Sequence, residues 1–408
     1  MYCWHASPAS PRRAQTLPKF MLKKFFSALD RQLKQAALAT TTPQLRKPVS
    51  TASAQEYISE VGHRKLGWRA LRRRLVFMMS GQAKVKINSL KNTGKRGLWL
   101  YFGEGQIGDA LMDLAPRSLL HAHGFSIDLL TDTTIARLFH DDPWFASVTD
   151  DISAVAKVTY DFVIILSQKR RSLQPKTRHF RALPWVSILE DFTGPNFDRA
   201  AYATQRLADL LELDLDSAEF ARHARQKLRP STASAGLEQH AAQAGQAVAL
   251  SIGGVDPLRT YKGWPAVMAQ LVHHGKNEFV LIGSDNGLAE ARRIELELGD
   301  SALVHNYVGK CSLEQSHCLL AAARVIICVD GGLMHLAATT QTPMVSLFSS
   351  TIRPEWRLSS RPSTLFACSG SADVNDISPQ EIAEKALSLY EAPFAMDTPV
   401  SAFGTPSS

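Results

Sequence analysis

Apolar residues between positions 96 and 390 gather into short runs separated by longer amphipathic stretches. Leu98–Phe102, Ile127–Leu130 and Phe162–Leu166 read as strands of a first half, and Val248–Ser251, Phe279–Ile282, Val325–Val329 and Val345–Phe348 as strands of a second. Strands that alternate with helical patterns imply parallel sheets covered by helices. Between the halves, residues 225–246 lose strand character and collect Pro, Ser, Gly and Ala, which suits an interdomain connection. The pattern predicts an α/β protein of two Rossmann-like domains, 96–230 and 231–390. The Pro/Ser/Thr-rich end, 391–408, is expected to be a disordered tail.

Upstream of this body the periodicity changes. Residues 1–20 show none and read as disordered. From Met21, the residues Leu22, Phe25, Phe26, Leu29 and Leu33 recur at helical spacing, with Lys23, Lys24, Arg31 and Lys34 largely on other faces. A second amphipathic stretch has Trp68, Leu71, Leu75, Met78 and Met79 on its apolar side and Arg69, Arg72 and Arg73 on its cationic side. Such helices lie on anionic lipid, pack on the body, or belong to a transit peptide, and amphipathicity alone leaves the three open.

Charge sharpens this division. Residues 1–100 hold 20 Lys and Arg against 3 Asp and Glu, a net of +17, whereas the remainder carries −9. The extension 1–95 is thus a basic arm suited to a polyanion, either nucleic acid or an anionic membrane face, on a slightly acidic body. No apolar run approaches the ~18 residues of a spanning helix. The five cysteines are scattered, odd in number and without a CxxC pair, so neither a disulfide framework nor a zinc knuckle is suggested, and a reducing cytosol is expected.

Three stretches carry candidate chemistry. Gly103–Asp109 (GEGQIGD) follows the first strand and precedes an apolar-periodic segment, where Gly105 and Gly108 let a ligand approach the backbone at a helix start. Asp109 is there either an N-cap or a general base facing the cleft. The second stretch is Ser251-Ile252-Gly253-Gly254 followed by Tyr261-Lys262-Gly263-Trp264-Pro265. Its small residues and lone Lys262 suit a phosphate, and Pro265 suits a first helical turn. The third, Asp330-Gly331-Gly332-Leu333-Met334-His335, exposes backbone N–H groups after a buried strand. Asp330 is placed to accept from sugar hydroxyls and His335 to face the same point, against the plainer roles of N-cap and core histidine. Asp285 after Phe279–Ile282 is a candidate for ribose hydroxyls, with Glu290 competing.

Taken together, these residues resemble glycosyltransferase family 9, the lipopolysaccharide heptosyltransferases. The likeness rests on Gly108-Asp109 with Leu111 and Pro116, the KxWP of Lys262–Pro265, and the DGGLMHLA run Asp330–Ala337 with Pro343 and Leu347-Phe348, in order across about residues 97–388. It implies a GT-B fold, with an N-terminal acceptor domain and a C-terminal donor domain facing across a cleft. It also implies transfer of heptose from ADP-heptose to a lipid-linked inner-core oligosaccharide with inversion, no required metal or cofactor, and a place on the cytoplasmic face of the inner membrane. By the same resemblance Asp109 is the base and Lys262 the partner of the leaving diphosphate. Ser251, Gly253, Gly254, Asp330, Gly331, Gly332 and His335 line the donor pocket, with Asp285 on the ribose. The arm lies outside the family pattern, and Gly331 stands where Thr or Ser is more usual, which leaves other nucleotide sugars open as donors. The arm is read as a membrane contact in preference to a nucleic-acid one, and a non-catalytic polyanion-binding protein is the rival from another class.

Overall fold

The computed structural model describes residues 19–102, 106–229, 244–358 and 360–392. The expectations for residues 1–18, for Gly105 and for the tail beyond residue 392 lie outside the described residues.

The arm contains α1 (Lys19–Thr41), α2 (Ala54–Val61) and α3 (His63–Met79). Helices α1 and α3 pack along each other through Leu33, Ala36 and Ala37 on one side and Leu66, Gly67 and Ala70 on the other, all buried. Glycine is needed there, because a Cβ at position 67 would stand 2.4 Å from the Leu33 carbonyl oxygen. The apolar stripe read from the sequence is not the packing face: Trp68, Leu75, Met78 and Met79 all remain more than half exposed. Between α1 and α2 the chain straps itself to the body. The Arg46 amide donates to Asp209 at 2.9 Å, Thr51 pairs antiparallel with Phe197, and the Asp198 amide donates to the Ser50 carbonyl at 3.1 Å. Past α3, Lys86 pairs in parallel with Trp185 and prolongs a sheet edge.

The first sheet holds β1 (Arg96–Tyr101), β2 (Ser126–Thr131), β3 (Ser147–Thr149), β4 (Phe162–Ile165) and β5 (Trp185–Ser187) in the order β3-β2-β1-β4-β5, every pair parallel. The second holds β6 (Val248–Ser251), β7 (Glu278–Ile282), β8 (Leu303–Asn306), β9 (Val325–Val329), β10 (Met344–Phe348) and β11 (Thr364–Cys368) in the order β11-β10-β9-β6-β7-β8, again all parallel. Central strands such as β4, β6 and β9 are buried at every position, which is why their sequences are continuous apolar runs.

Helices α4 (Ile107–Asp113), α5 (Arg117–Ala122), α6 (Thr133–Leu138), α7 (Ile152–Ala156), α8 (Arg170–His179), α9 (Arg199–Leu211) and α10 (Ser217–Ala224) accompany the first sheet. The second is accompanied by α11 (Trp264–His273), α12 (Leu288–Leu298), α13 (Leu313–Ala322), α14 (Gly332–Ala338), α15 (Glu355–Leu358) and α16 (Pro379–Glu391). The two-lobed fold expected from the resemblance is present, with α4 of one lobe packed on α14 of the other.

The arm packing is open to test. Gly67→Val is expected to lift α3 from α1 at a local cost of about 1–3 kcal/mol, exposing the arm to limited proteolysis while the main thermal transition holds. An arm as protected as wild type would contradict the close approach.

Candidate active site

Each sheet has one point where the chain leaves a strand toward one side and later returns on the other. In the second sheet that point lies between β6 and β9, so the loops following those strands part and leave a crevice at their carboxyl ends. A cavity of about 690 Å³ occupies it. Ser251, Gly253, Gly254, Asp330, Gly331 and Gly332 line it from the second lobe, and Gln106 and Ile107 line it from the first. The cavity therefore opens between the lobes.

Local geometry explains the small residues. Gly253 has φ +86°, and a Cβ there would stand 2.7 Å from Asn286 Oδ1. At Gly254 a Cβ would stand 2.2 Å from Thr260 Oγ1. No heavy atom lies within 4 Å of a Cβ built on Gly332, so the first turn of α14 faces open space. Asp256 caps the short turn Pro257–Arg259, accepting from the Leu258 amide at 3.0 Å, and so directs Arg259 across the crevice. The Arg259 guanidinium donates to the Asp330 carbonyl at 2.9 Å and to its carboxylate at 2.8 Å. Its Nε is buried with no partner, an orphan donor on a cavity-lining cation. Arg357 Nε lies 3.8 Å from the other carboxylate oxygen of Asp330. Asp330 thus holds two arginines in place, and its charge is already matched.

The facing lobe supplies α4. Asp109 sits in its first turn, about one-quarter exposed, with Arg199 Nη1 3.4 Å from one oxygen. Arg199 is held by Asp113 through Nε at 3.0 Å and by a second bond through Nη2, and Tyr101 donates to the same carboxylate at 3.1 Å. Burial opposes the Arg199 charge, but Asp113 and Asp109 outweigh it and raise its pKa. Burial raises the Asp113 carboxyl, with Arg199 opposing. Neither Asp109 nor Asp330 caps its helix, since Gln106 and Gly331 occupy those positions without side-chain bonds.

His335 lies beneath the cavity rather than in its wall. Its ring packs on Gly108, where a Cβ would stand 2.4 Å from Cδ2. Gln226 donates through its amide to the Arg357 carbonyl at 2.7 Å, so its oxygen faces His335 Nδ1 at 2.9 Å and fixes the tautomer protonated on Nδ1. Burial, with Arg357, Arg259 and Arg199 nearby, holds the imidazole neutral, its pKa down to about 3. Gln226 belongs to the connecting segment. Next to it the Lys227 carbonyl accepts from Arg117 at 2.7 Å, and Arg117 itself pairs with Asp142 in a buried bidentate contact.

The structure gathers Ser251, Gly253, Gly254, Asp330, Gly331 and Gly332 around one cavity, with Gly108 and Asp109 on the helix that closes it. Besides His335, two expected residues stand apart. The Lys262 side chain is exposed and absent from the wall; its backbone is fixed by Asn375 and Arg293. Asp285 is exposed, also outside the wall, with its carboxylate against Gly309. Glu290 is engaged by Arg293. Trp264 and Pro265 of the same motif are buried, Trp264 lying edge-on to Tyr261 at 5.0 Å. The sequence reading missed Arg259, Arg199 and Arg357. Only Arg259 left a local signal, the Asp256-Pro257 cap.

Residues 202–382 match the family model of glycosyltransferase family 9 (heptosyltransferase). The match falls within the second half of the chain and the helices that precede it, a little under half of the whole sequence. A lipopolysaccharide heptosyltransferase 2 of Salmonella typhimurium is 34% identical over 94 residues, 21% of this chain and 27% of the relative, so the aligned stretch spans about a quarter of that protein. Among solved structures, a family 9 glycosyl transferase from Veillonella parvula superposes with TM-score 0.57 at 16% identity, covering 74% of this chain and 99% of the other. The ADP-heptose lps heptosyltransferase II of E. coli gives 0.53 at 18% identity, covering 72% and 98%. The GT-B architecture of this chain follows from these superpositions.

Three buried histidines make stability depend on acidity. Burial holds His335 down to about 3 and His223 and His317 to about 4, against an ordinary 6.5 in the unfolded chain. Below pH 6.5 the unfolded chain takes up protons that the fold refuses. Stability is therefore full above 6.5 and declines as pH falls toward 4, by about 2 kcal/mol per histidine at pH 5. Melting curves from pH 7.5 to 5 are expected to show this decline, with a shallower slope in His317→Met. A flat wild-type profile would contradict the assignment.

Proposed function

We propose that this chain is a family 9 member, an inverting glycosyltransferase that moves heptose from ADP-heptose to the inner-core oligosaccharide of lipopolysaccharide, working at the cytoplasmic face of the inner membrane. The observation that carries the reading is the interlobe cavity walled by Gly253, Gly254 and Gly332, with the unpartnered Nε of Arg259 beside it. Backbone amides plus one fixed guanidinium suit a diphosphate. The relatives' names, a lipopolysaccharide heptosyltransferase and an ADP-heptose transferase, supply the donor and acceptor classes.

In the proposed reaction the acceptor hydroxyl attacks the anomeric carbon from the side opposite the diphosphate. Its proton passes to Asp109, and the bond between the anomeric carbon and the phosphate oxygen breaks with its electron pair leaving on ADP. Arg259 stabilises the growing negative charge, and Asp330 keeps that guanidinium in position. Lys262 is retained as a second, outer contact for the diphosphate, and Asp285 as a ribose contact at the rim. The arm, with its +17 charge over residues 1–100 and its exposed Trp68, Leu75, Met78 and Met79, suits peripheral attachment to anionic lipid.

Incubation with ADP-heptose and a truncated core acceptor is expected to release ADP; a screen in which only another nucleotide sugar is consumed would overturn the donor assignment. Asp109→Asn is expected to abolish turnover while ADP affinity persists, and turnover close to wild type would remove Asp109 as the base. Arg259→Gln is expected to weaken ADP binding roughly 10–100-fold, the scale of a charge-assisted contact. Lys262→Ala is expected to have a smaller effect, and the reverse ranking would restore Lys262 as the principal diphosphate partner.

A further inference from the structure

A cavity larger than the interlobe one lies at the corresponding point of the first sheet. There the chain departs from β1 toward β2 and returns at β4, so the crevice opens past the ends of β1 and β4. Phe102, directly after β1, and Gln168, shortly after β4, both line a groove of about 950 Å³. One wall is α8. The other is the arm helix α3, which lends Arg69, Arg72 and Arg73.

Among the described residues lining this groove, the charged side chains are all cationic. Arg69, Arg72 and Arg73 face Arg170 and Arg178 across it, and no carboxylate is found among the described residues that line it. The nearby Asp191 is engaged by Arg74. Arg73 is half-buried, and its Nη1 donates to the neutral Thr193 hydroxyl at 2.7 Å. Burial and the neighbouring Arg69 charge lower its pKa, as expected of a cation held beside like charges. Six arginines and Lys169 line this concave surface and repel one another, and a multiply charged anion relieves that repulsion.

The three faces of α3 narrow the ligand class. At 100° per residue, the groove-lining positions 69, 72, 73, 76 and 80 and the exposed apolar positions 68, 75, 78 and 79 centre roughly 120° apart. The remaining face packs on α1. A helix with arginines over a groove and an unpartnered apolar stripe beside it matches a ligand that is phosphorylated at its head and anchored in lipid. The groove is also continuous in sequence with the donor cavity, because Phe102 lines one and Gln106 and Ile107 line the other.

We propose that the groove between α3 and α8 binds the clustered phosphomonoesters of a phosphorylated sugar headgroup, and that the arm contributes Arg69, Arg72 and Arg73 to it. Naming that headgroup as the lipid-linked acceptor rests on the transferase reading; the phosphate chemistry does not. Arginine forks bind phosphomonoester oxygens bidentately, and the groove size suits a mono- or disaccharide head.

The test uses the full chain and a soluble disaccharide bearing two phosphomonoesters, with its unphosphorylated counterpart as control. Only the phosphorylated sugar is expected to bind, and Arg69→Gln/Arg170→Gln is expected to weaken it roughly tenfold or more. ADP affinity of the same variant serves as the check on folding, and Arg72→Gln/Arg178→Gln provides a second pair if the first fails to fold. Phosphatidylcholine vesicles doped with phosphatidylglycerol separate diffuse membrane charge from the built site. They are expected to compete poorly with the bisphosphorylated sugar. Equal binding by wild type and both variants, or full competition by those vesicles, would overturn the proposal. Binding that persists in the groove while ADP-heptose is never consumed would sink the transferase reading and leave the groove standing.

Discussion

The imidazole of His335 lies against Gly108 at a spacing that leaves no room for even a methyl group. This contact between α4 and α14 sets how near the two lobes come. It brings Asp109 and the Asp330–Arg259 pair to one crevice without either carboxylate spending itself as a helix cap. A glycine on one helix and a flat, neutral ring on the other are what permit the approach. A charged imidazole would sit unsupported among Arg199, Arg259 and Arg357, and burial together with those cations keeps the ring neutral.

Around that contact, acids and arginines interleave. Asp113 holds Arg199, Arg199 touches Asp109, and Asp330 gathers Arg259 and Arg357. Fixing cations in this way suits a site that meets a diphosphate, because the guanidinium is already oriented and little reorganisation is needed when charge develops. The connecting segment participates as well. Gln226 and Lys227 bond to both lobes, so what composition alone suggested to be a plain linker is a structural joint at its first residues.

Much of the fold was legible because central parallel strands are buried on both faces and leave continuous apolar runs. The runs read at Val248–Ser251 and Val325–Val329 coincide with β6 and β9, and those at Leu98–Phe102 and Phe279–Ile282 fall within two residues of β1 and β7. The strands not read, β3, β5, β8 and β11, are three to five residues long and outermost in their sheets, so their runs are short and three of them are partly exposed. In the site, glycines after strands were readable, since backbone approach needs them at fixed positions. Arg199 and Arg357 were not, because each acquires its meaning only when distant segments meet. The arm carried a readable charge and a misleading face: glycine and alanine, which look unremarkable in sequence, form its packing side.

The strap between α1 and α2 touches both lobes. Ser50 lends its carbonyl to the Asp198 amide in one and accepts on its hydroxyl from the Trp356 indole in the other, at 2.9 Å. Any hinge rotation that widened the crevice would tug on this single residue, and through it on the helices bearing the exposed apolar stripe. Opening of the crevice and seating of the outer helices would thereby be mechanically geared, like a jaw and its tendon.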